Sequence, residues 1–167
     1  MVDVNGHASD VRIRPFERAD TEAVVALWRD AGLVVPWNDP YRDIERKLTV
    51  QPDLFLVGDV GGAVVATAMI GFDGHRGWVN YLAVDAAHRR GGLGARLMAE
   101  AERLLIDLGC PKLNLQVRSS NTGVIEWYRT LGYEPDNAVS LGKRLIPDAA
   151  GVSLHADPYP LANGEAP

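Results

Sequence analysis

LAVDAAHRRGGLGARL, residues 82–97, decides how this chain is read. A short apolar run at 81–84 gives way to the turn formers Asp85, Ala86, Ala87 and His88. A glycine-rich segment then leads directly into apolar residues at helical spacing. The pattern predicts strand, loop and helix in that order. Glycines at Gly91, Gly92 and Gly94 suit sharp turns and let a ligand approach bare backbone. The first turn of any helix leaves amide hydrogens unpartnered, and its dipole favours anions there. The stretch therefore outlines a phosphate cradle, with Arg89 and Arg90 adding positive charge.

Working outward, residues 11–16 alternate in the manner of a strand, and Asp20 stands as an N-cap before Ala23, Val24, Leu27, Trp28 and Ala31 at helical spacing. The loop Val35-Pro36-Trp37-Asn38-Asp39-Pro40 precedes a second helix at about 41–50, whose charges read as a solvated face. Residues 54–60 and 63–70 are apolar, β-branched runs joined by Gly61-Gly62, the mark of a hairpin. After the turn 71–77, residues 78–84 form a third antiparallel strand. Leu93, Leu97, Met98, Ala101, Leu104, Leu105 and Leu108 share one face of the following helix. Residues 113–117 alternate as a strand, placed by the intervening helix to run parallel to 78–84. Ser119-Ser120-Asn121 supplies an N-cap for a helix over 122–131. Residues 133–134 and 138–146 read as a last pair of strands.

Three glycine-rich phosphate motifs are worth comparing. Neither GxGxxG nor GxxxxGK[ST] occurs, whereas RxxGxG does, as Arg89, Gly92 and Gly94. That motif resembles the pyrophosphate-binding signature of the GNAT superfamily of N-acetyltransferases, which move an acetyl group from acetyl-CoA to an amine. A second signature of the superfamily, an asparagine, a helix, a tyrosine and a GF or GY pair, is matched by Asn121, Tyr128 and Gly132-Tyr133. The element order is also the superfamily's, over roughly residues 10–146. The stretches Pro36-Trp37-Asn38-Asp39-Pro40, 71–77 and 141–145 further resemble the small bacterial acetyltransferases called YpeA.

The resemblance implies a mixed α+β fold: a mostly antiparallel sheet of about six to seven strands, one parallel pair splayed at the CoA site, and about four helices. It implies that Leu82, Ala83 and Val84 pair through their backbone with the pantetheine arm beside a bulge. It further implies that Arg89, Arg90, Gly91, Gly92, Leu93, Gly94 and Ala95 cradle the pyrophosphate, with Asn121 contributing. Tyr128 is implied beside the sulfur as general acid. Two departures stand out: Val124 replaces the usual alanine, and the strand Trp78-Val79-Asn80-Tyr81-Leu82 lacks the glutamate that relatives use as base.

A lysine-like amine has a pKa near 10.4 and reaches neutral solution protonated, so something must take its proton. Asp73 and His75 in the turn before 78–84, and Asp39 in the Trp37 loop, are the candidates, each weighed against a plain turn-forming or surface role. A hydrophobic and acidic cleft would suit a cationic acceptor. Trp37, Trp78 and Trp127 read first as packing, Trp37 being the best exception.

Composition bounds the alternatives. The chain has 167 residues, 47% hydrophobic and 23% charged, with formal net charge −5. That suits one domain with a real core, at 10–146 between flexible or loosely docked tails at 1–9 and 147–167. No basic stripe favours nucleic acid, no apolar run approaches the roughly 20 residues of a membrane span, and the N-terminus carries no secretory pattern. The expected location is the cytoplasm. The lone Cys110 is expected to be structural, and scattered histidines give no metal site. The leading expectation is an acetyl-CoA-dependent N-acetyltransferase acting on a small amine or a protein amino group. The rival readings are a non-catalytic acyl-CoA-binding sensor and a structural or homodimerising protein whose last strands pair between subunits and which binds no CoA.

Overall fold

The computed structural model describes residues 11–148. The order of elements is β1 (Arg12–Pro15), α1 (Thr21–Asp30), α2 (Pro40–Thr49), β2 (Phe55–Val60), β3 (Ala63–Phe72), β4 (Gly77–Val84), α3 (Leu93–Asp107), β5 (Leu113–Asn114) and α4 (Thr122–Thr130), with short 3-10 turns before α1, β2 and α3. The five strands form one sheet in sequence order, antiparallel from β1 to β4, with β5 parallel to β4. None of the helices formed by the described residues is long and apolar enough to cross a membrane.

The sheet is covered on both sides, which is why β2 is apolar at nearly every position rather than alternating. One layer joins Phe16, Val24, Val25, Trp28, Ile44, Phe55 and Val57 under α1 and α2. The other joins Leu54, Leu56, Ile70, Val79, Leu97, Met98 and Leu105 under α3 and α4. The alternating residues of β2 thus feed opposite layers.

Two features of β4 position everything that follows. Thr67 faces Ala83 and Met69 faces Asn80, so Tyr81 and Leu82 together oppose Ala68 in a β-bulge, with Tyr81 at φ 51°. Second, β4 meets β5 only through Gly77 with Leu113 and Trp78 with Asn114, and the two strands part before the bulge. The splayed parallel pair is present.

The strand count differs from expectation. Residues 133–134 and 138–146 form no strands, and β5 stops after two residues instead of five. With so short an edge there is no backbone ladder for a further pair to extend. Contacts to this edge are made by side chains instead: Lys112 Nζ donates to Asp136 at 2.7 Å and Gln116 Nε2 to Ser140 at 2.5 Å. Val139, Leu141, Leu145 and Ile146 are left exposed. Asp20 does not cap α1 through its side chain. It is buried and accepts from Glu17 N at 2.8 Å and from Arg14, which also donates to Asp59. The expected tails at 1–9 and 147–167 lie outside the described residues except for Pro147 and Asp148. Asp148 is buried, pairs with Arg46 and accepts from Asp39 N at 3.1 Å.

Candidate active site

Two cavities lie beside the bulge, one lined by Tyr81 and the other by Leu82. The first, about 480 Å³, is lined by Leu82, Ala83 and Val84 of β4, His88, Arg89 and Arg90 of the loop, and Gly92, Leu93, Gly94 and Ala95 at the start of α3. Val124, Trp127 and Tyr128 of α4 complete it. This list contains every residue expected to hold a CoA except Gly91 and Asn121. Asn121 occupies the N-cap position of α4 without a side-chain cap bond, is exposed, and does not line the cavity.

The local chain geometry explains the cradle. Arg90 at φ 65° and Gly92 at φ 80° turn the backbone into the left-handed region twice within three residues, and α3 then begins without a side-chain cap. Its first amides therefore have no side-chain acceptor, a concave arrangement of N–H groups suited to an anion. Gly94 faces Trp127, and a Cβ there would lie 3.1 Å from Trp127 Cζ2. Bare backbone is needed where α3 and α4 approach each other over the cavity. Arg89 Nε donates to Val84 O at 2.9 Å, tying the loop to the end of β4. His88 Nδ1 lies 3.0 Å from Asp85 Oδ1, and this contact, with the Ala87 amide, holds the Asp85 carboxyl below its ordinary range.

Tyr128 is buried on the wall of this cavity, edge-on to Trp127 at 4.7 Å and to Tyr133 at 5.7 Å. Burial pushes its phenol up to about 12. The hydroxyl keeps its proton across the neutral range.

The second cavity, about 690 Å³, lies between α2 and the opened edge of β4. Its lining includes Trp37, Asn38, Asp43, Lys47, Tyr81 and Arg118. Tyr81 Oη donates to Asp43 at 2.6 Å, and Arg46 Nη1 donates to the other oxygen of Asp43 at 3.0 Å. Burial and the neighbouring carboxylate raise the Tyr81 phenol far above its usual range. Tyr81 itself is clamped: its ring stacks on Trp28 at 3.9 Å and its carbonyl accepts from Thr67 Oγ1 at 2.8 Å, which in turn accepts from Trp28 Nε1 at 2.9 Å. By its charges alone this helix reads as a solvated face, with Asp43 on it. Its partner lies 38 residues away, and nothing local signals the pair.

Asp73 and His75 line neither cavity. The Asp73 carboxylate accepts from Arg76 N at 2.6 Å, His75 N at 2.7 Å and Trp78 Nε1 at 3.2 Å, and these donors hold it below the ordinary carboxylate range. It organises its turn. Asp39 caps α2 by accepting from Tyr41 N at 2.9 Å. Of the three tryptophans, Trp37 and Trp127 line the second and first cavities, and Trp78 joins the Asp73 turn. Cys110 packs against Gly77 and donates weakly to Lys112 O at 3.3 Å. Among the described residues no group of three metal-ligating side chains comes together.

The chain is similar to known acetyltransferases in sequence and in fold. Residues 21–133 match the model of the acetyltransferase (GNAT) family. An acetyltransferase of Yersinia enterocolitica is 49% identical over 138 residues, 83% of this chain and 98% of the relative. One from Pectobacterium atrosepticum is equally similar over the same shares. Among solved structures, Ard1 from Thermoplasma volcanium superposes with TM-score 0.64 at 25% identity, covering 74% of this chain and 82% of that one. The ribosomal-protein-S18-alanine N-acetyltransferase of Escherichia coli superposes with TM-score 0.62 at 25% identity, covering 73% and 76%. The chain belongs to the GNAT family of acetyltransferases, and it is an acyltransferase.

Proposed function

We propose that this protein transfers the acetyl group of acetyl-CoA directly to a primary amine, with the donor in the first cavity and the acceptor in the second. The observation that carries this reading is the junction at the bulge, where Tyr81 lines one cavity and the next residue, Leu82, lines the other. Two substrates seated there would present their reacting ends to each other across one peptide unit.

The residues fit the donor. The uncapped start of α3 and the left-handed loop from Arg89 to Gly94 match a pyrophosphate. The unpaired edge of β4 at 82–84 matches the amide groups of a pantetheine arm. Acetyl-CoA supplies a thioester-activated acetyl carbon. Backbone N–H groups at the bulge, held rigid by Thr67 and Trp28, polarise the acetyl oxygen as negative charge develops on it.

Asp43 takes the place of the glutamate missing from β4. The deprotonated fraction of the amine, which grows with pH, attacks the acetyl carbon. Its remaining excess proton passes to the Asp43 carboxylate as the N–C bond forms and nitrogen loses its basicity. Tyr128 serves the sulfur. A phenol near 12 is a weaker acid than a thiol near 8.5, so Tyr128 stabilises the departing thiolate by donating a hydrogen bond as the C–S bond breaks and keeps its own proton. Solvent then protonates the sulfur. Asp73 and His75 are left with the organisation of their turn.

The test is release of free thiol from acetyl-CoA with purified protein and a panel of amines, amino acids and short peptides. The similarity to an S18-alanine N-acetyltransferase supports including peptide amino groups. Asp43→Asn is expected to cut kcat about 10²-fold at unchanged acetyl-CoA affinity. Full activity in that variant refutes the assignment of the base. Acetyl-CoA binding without turnover on any acceptor favours the sensor reading.

A further inference from the structure

The second cavity holds a cation that the proposed acetyl transfer does not use. Lys47 of α2 lines it and is only 8% exposed, so its ammonium group has largely left water. Nζ donates to Ile70 O at 2.5 Å, and a single carbonyl is poor compensation for a buried charge with three donors. No carboxylate pairs with it among the described residues. Asp43, one turn back on the same helix, is turned to Tyr81 and Arg46, and Asp148 is taken by Arg46 and the Asp39 amide. Burial alone lowers the Lys47 amine to about 8, with no neighbouring charge offsetting it.

Residues four apart on a helix have Cβ atoms about 5–6 Å apart on one face. Asp43 and Lys47 therefore present a negative and a positive group side by side in one cavity without neutralising each other. Opposite charges held apart in this way match a ligand carrying both charges in the reverse order. Resting on the reading of this cavity as the acceptor site, we propose that the acceptor is a compact zwitterion. Its amine faces Asp43 and the bulge, and a carboxylate or phosphate a few bonds away pairs with Lys47. An anion there would supply the counter-charge that the fold withholds from Lys47 and would fix the amine's distance from the bulge. A polyamine would instead set a second positive charge against Lys47, and the cleft is less suited to a purely cationic acceptor than an acidic one would be.

The experiment measures binding and turnover in parallel. The probes are α-amino acids and short ω-amino acids, their uncharged amides, and the corresponding amino-alcohol phosphates, with affinities read by ligand-observed NMR on the full chain. The expected result is at least tenfold tighter binding of the acids or the phosphates than of the amides. Whichever anion gains more identifies the headgroup. Lys47→Met is expected to erase that preference while leaving amide binding unchanged. Because it replaces a buried amine by an apolar chain of similar length, its melting temperature should equal or exceed that of the parent. If Lys47→Met fails to fold, Lys47→Gln provides the same comparison. Equal affinity within every acid and amide pair, no binding of any probe, or a preference that survives both substitutions overturns the proposal. Acetylation of simple amines with no acid preference overturns it while leaving acetyl transfer standing. An acid preference that depends on Lys47, with no probe acetylated, supports the zwitterion site and counts against acetyl transfer.

Discussion

Replacing Thr67 by valine tests how the bulge is held. Thr67 is fully buried, and its hydroxyl accepts from Trp28 Nε1 at 2.9 Å and donates to Tyr81 O at 2.8 Å. Valine keeps the shape and removes both bonds, leaving a buried indole N–H and a part-buried carbonyl without them. Each orphaned group costs about 1–3 kcal/mol, so the pair costs about 2–4 kcal/mol after partial relaxation. The stack of Trp28 on Tyr81 at 3.9 Å leaves little room for a water to substitute. For a chain of this size the loss corresponds to a fall in Tm of roughly 5–12 °C. The φ of 51° at Tyr81 is itself worth about 1 kcal/mol of strain, which the Thr67 bond helps to hold. Freed of it, the bulge should relax, so kcat should fall several-fold while acetyl-CoA affinity, which the proposed mechanism sets mainly at the start of α3, changes little. Thermal melting, urea titration and steady-state kinetics read the three quantities. Thr67→Ser, which keeps the hydroxyl, should retain kcat and lose only about 1 kcal/mol for the missing methyl group. A Thr67→Val protein that melts within a degree of the parent and turns over at the same rate would refute the clamp.

Three further outcomes follow from the geometry. Tyr128→Phe should lower kcat about 10²-fold and leave acetyl-CoA affinity within twofold, read by calorimetry beside kinetics; equal turnover removes Tyr128 from the reaction. Gly77→Ala should destabilise by about 1–3 kcal/mol in denaturant titration, because the added Cβ would lie 2.7 Å from Leu105 Cδ1 and 2.9 Å from Cys110 Sγ. The Asp148 carboxyl, drawn down to about 2 by Arg46, stabilises the fold at pH above its unfolded value near 3.8 and loses that contribution as pH falls through 2. Arg46 is half exposed, so screening limits the effect to about 1 kcal/mol. Asp148→Asn should flatten the acid limb of a stability against pH curve by that amount, and an unchanged limb would show the pair to be idle.

The first cavity was legible because its lining is local in sequence. Turn glycines, an uncapped helix start and a bare strand edge all sit within residues 82–95, and backbone groups need no particular side chain to bind an anion. The second cavity was hidden for the opposite reason. Asp43 and Lys47 sit in a helix whose charges alternate as a solvent-facing surface does, and their hydrogen-bond partners, Tyr81 and Ile70, lie 38 and 23 residues away. An aspartate before a glycine suits both a base and an Asx turn, and at Asp73 three donors on its carboxylate build the turn. Residues 138–146 alternate well enough for a strand. Alternation describes faces, however, and a strand also needs a neighbour with free rungs, which the two-residue β5 does not offer.

The brevity of β5 has a dynamic consequence. With only two residue pairs of backbone ladder between β4 and β5, α4 and its tyrosine are held to the rest of the fold chiefly by side-chain packing, and are expected to open more readily than β2 and β3. Val124, Trp127 and Tyr128 of α4 share the first cavity with the loop and the start of α3. A ligand lodged between them would act as a staple, and slowed amide exchange across α4 would report its arrival before any chemistry begins.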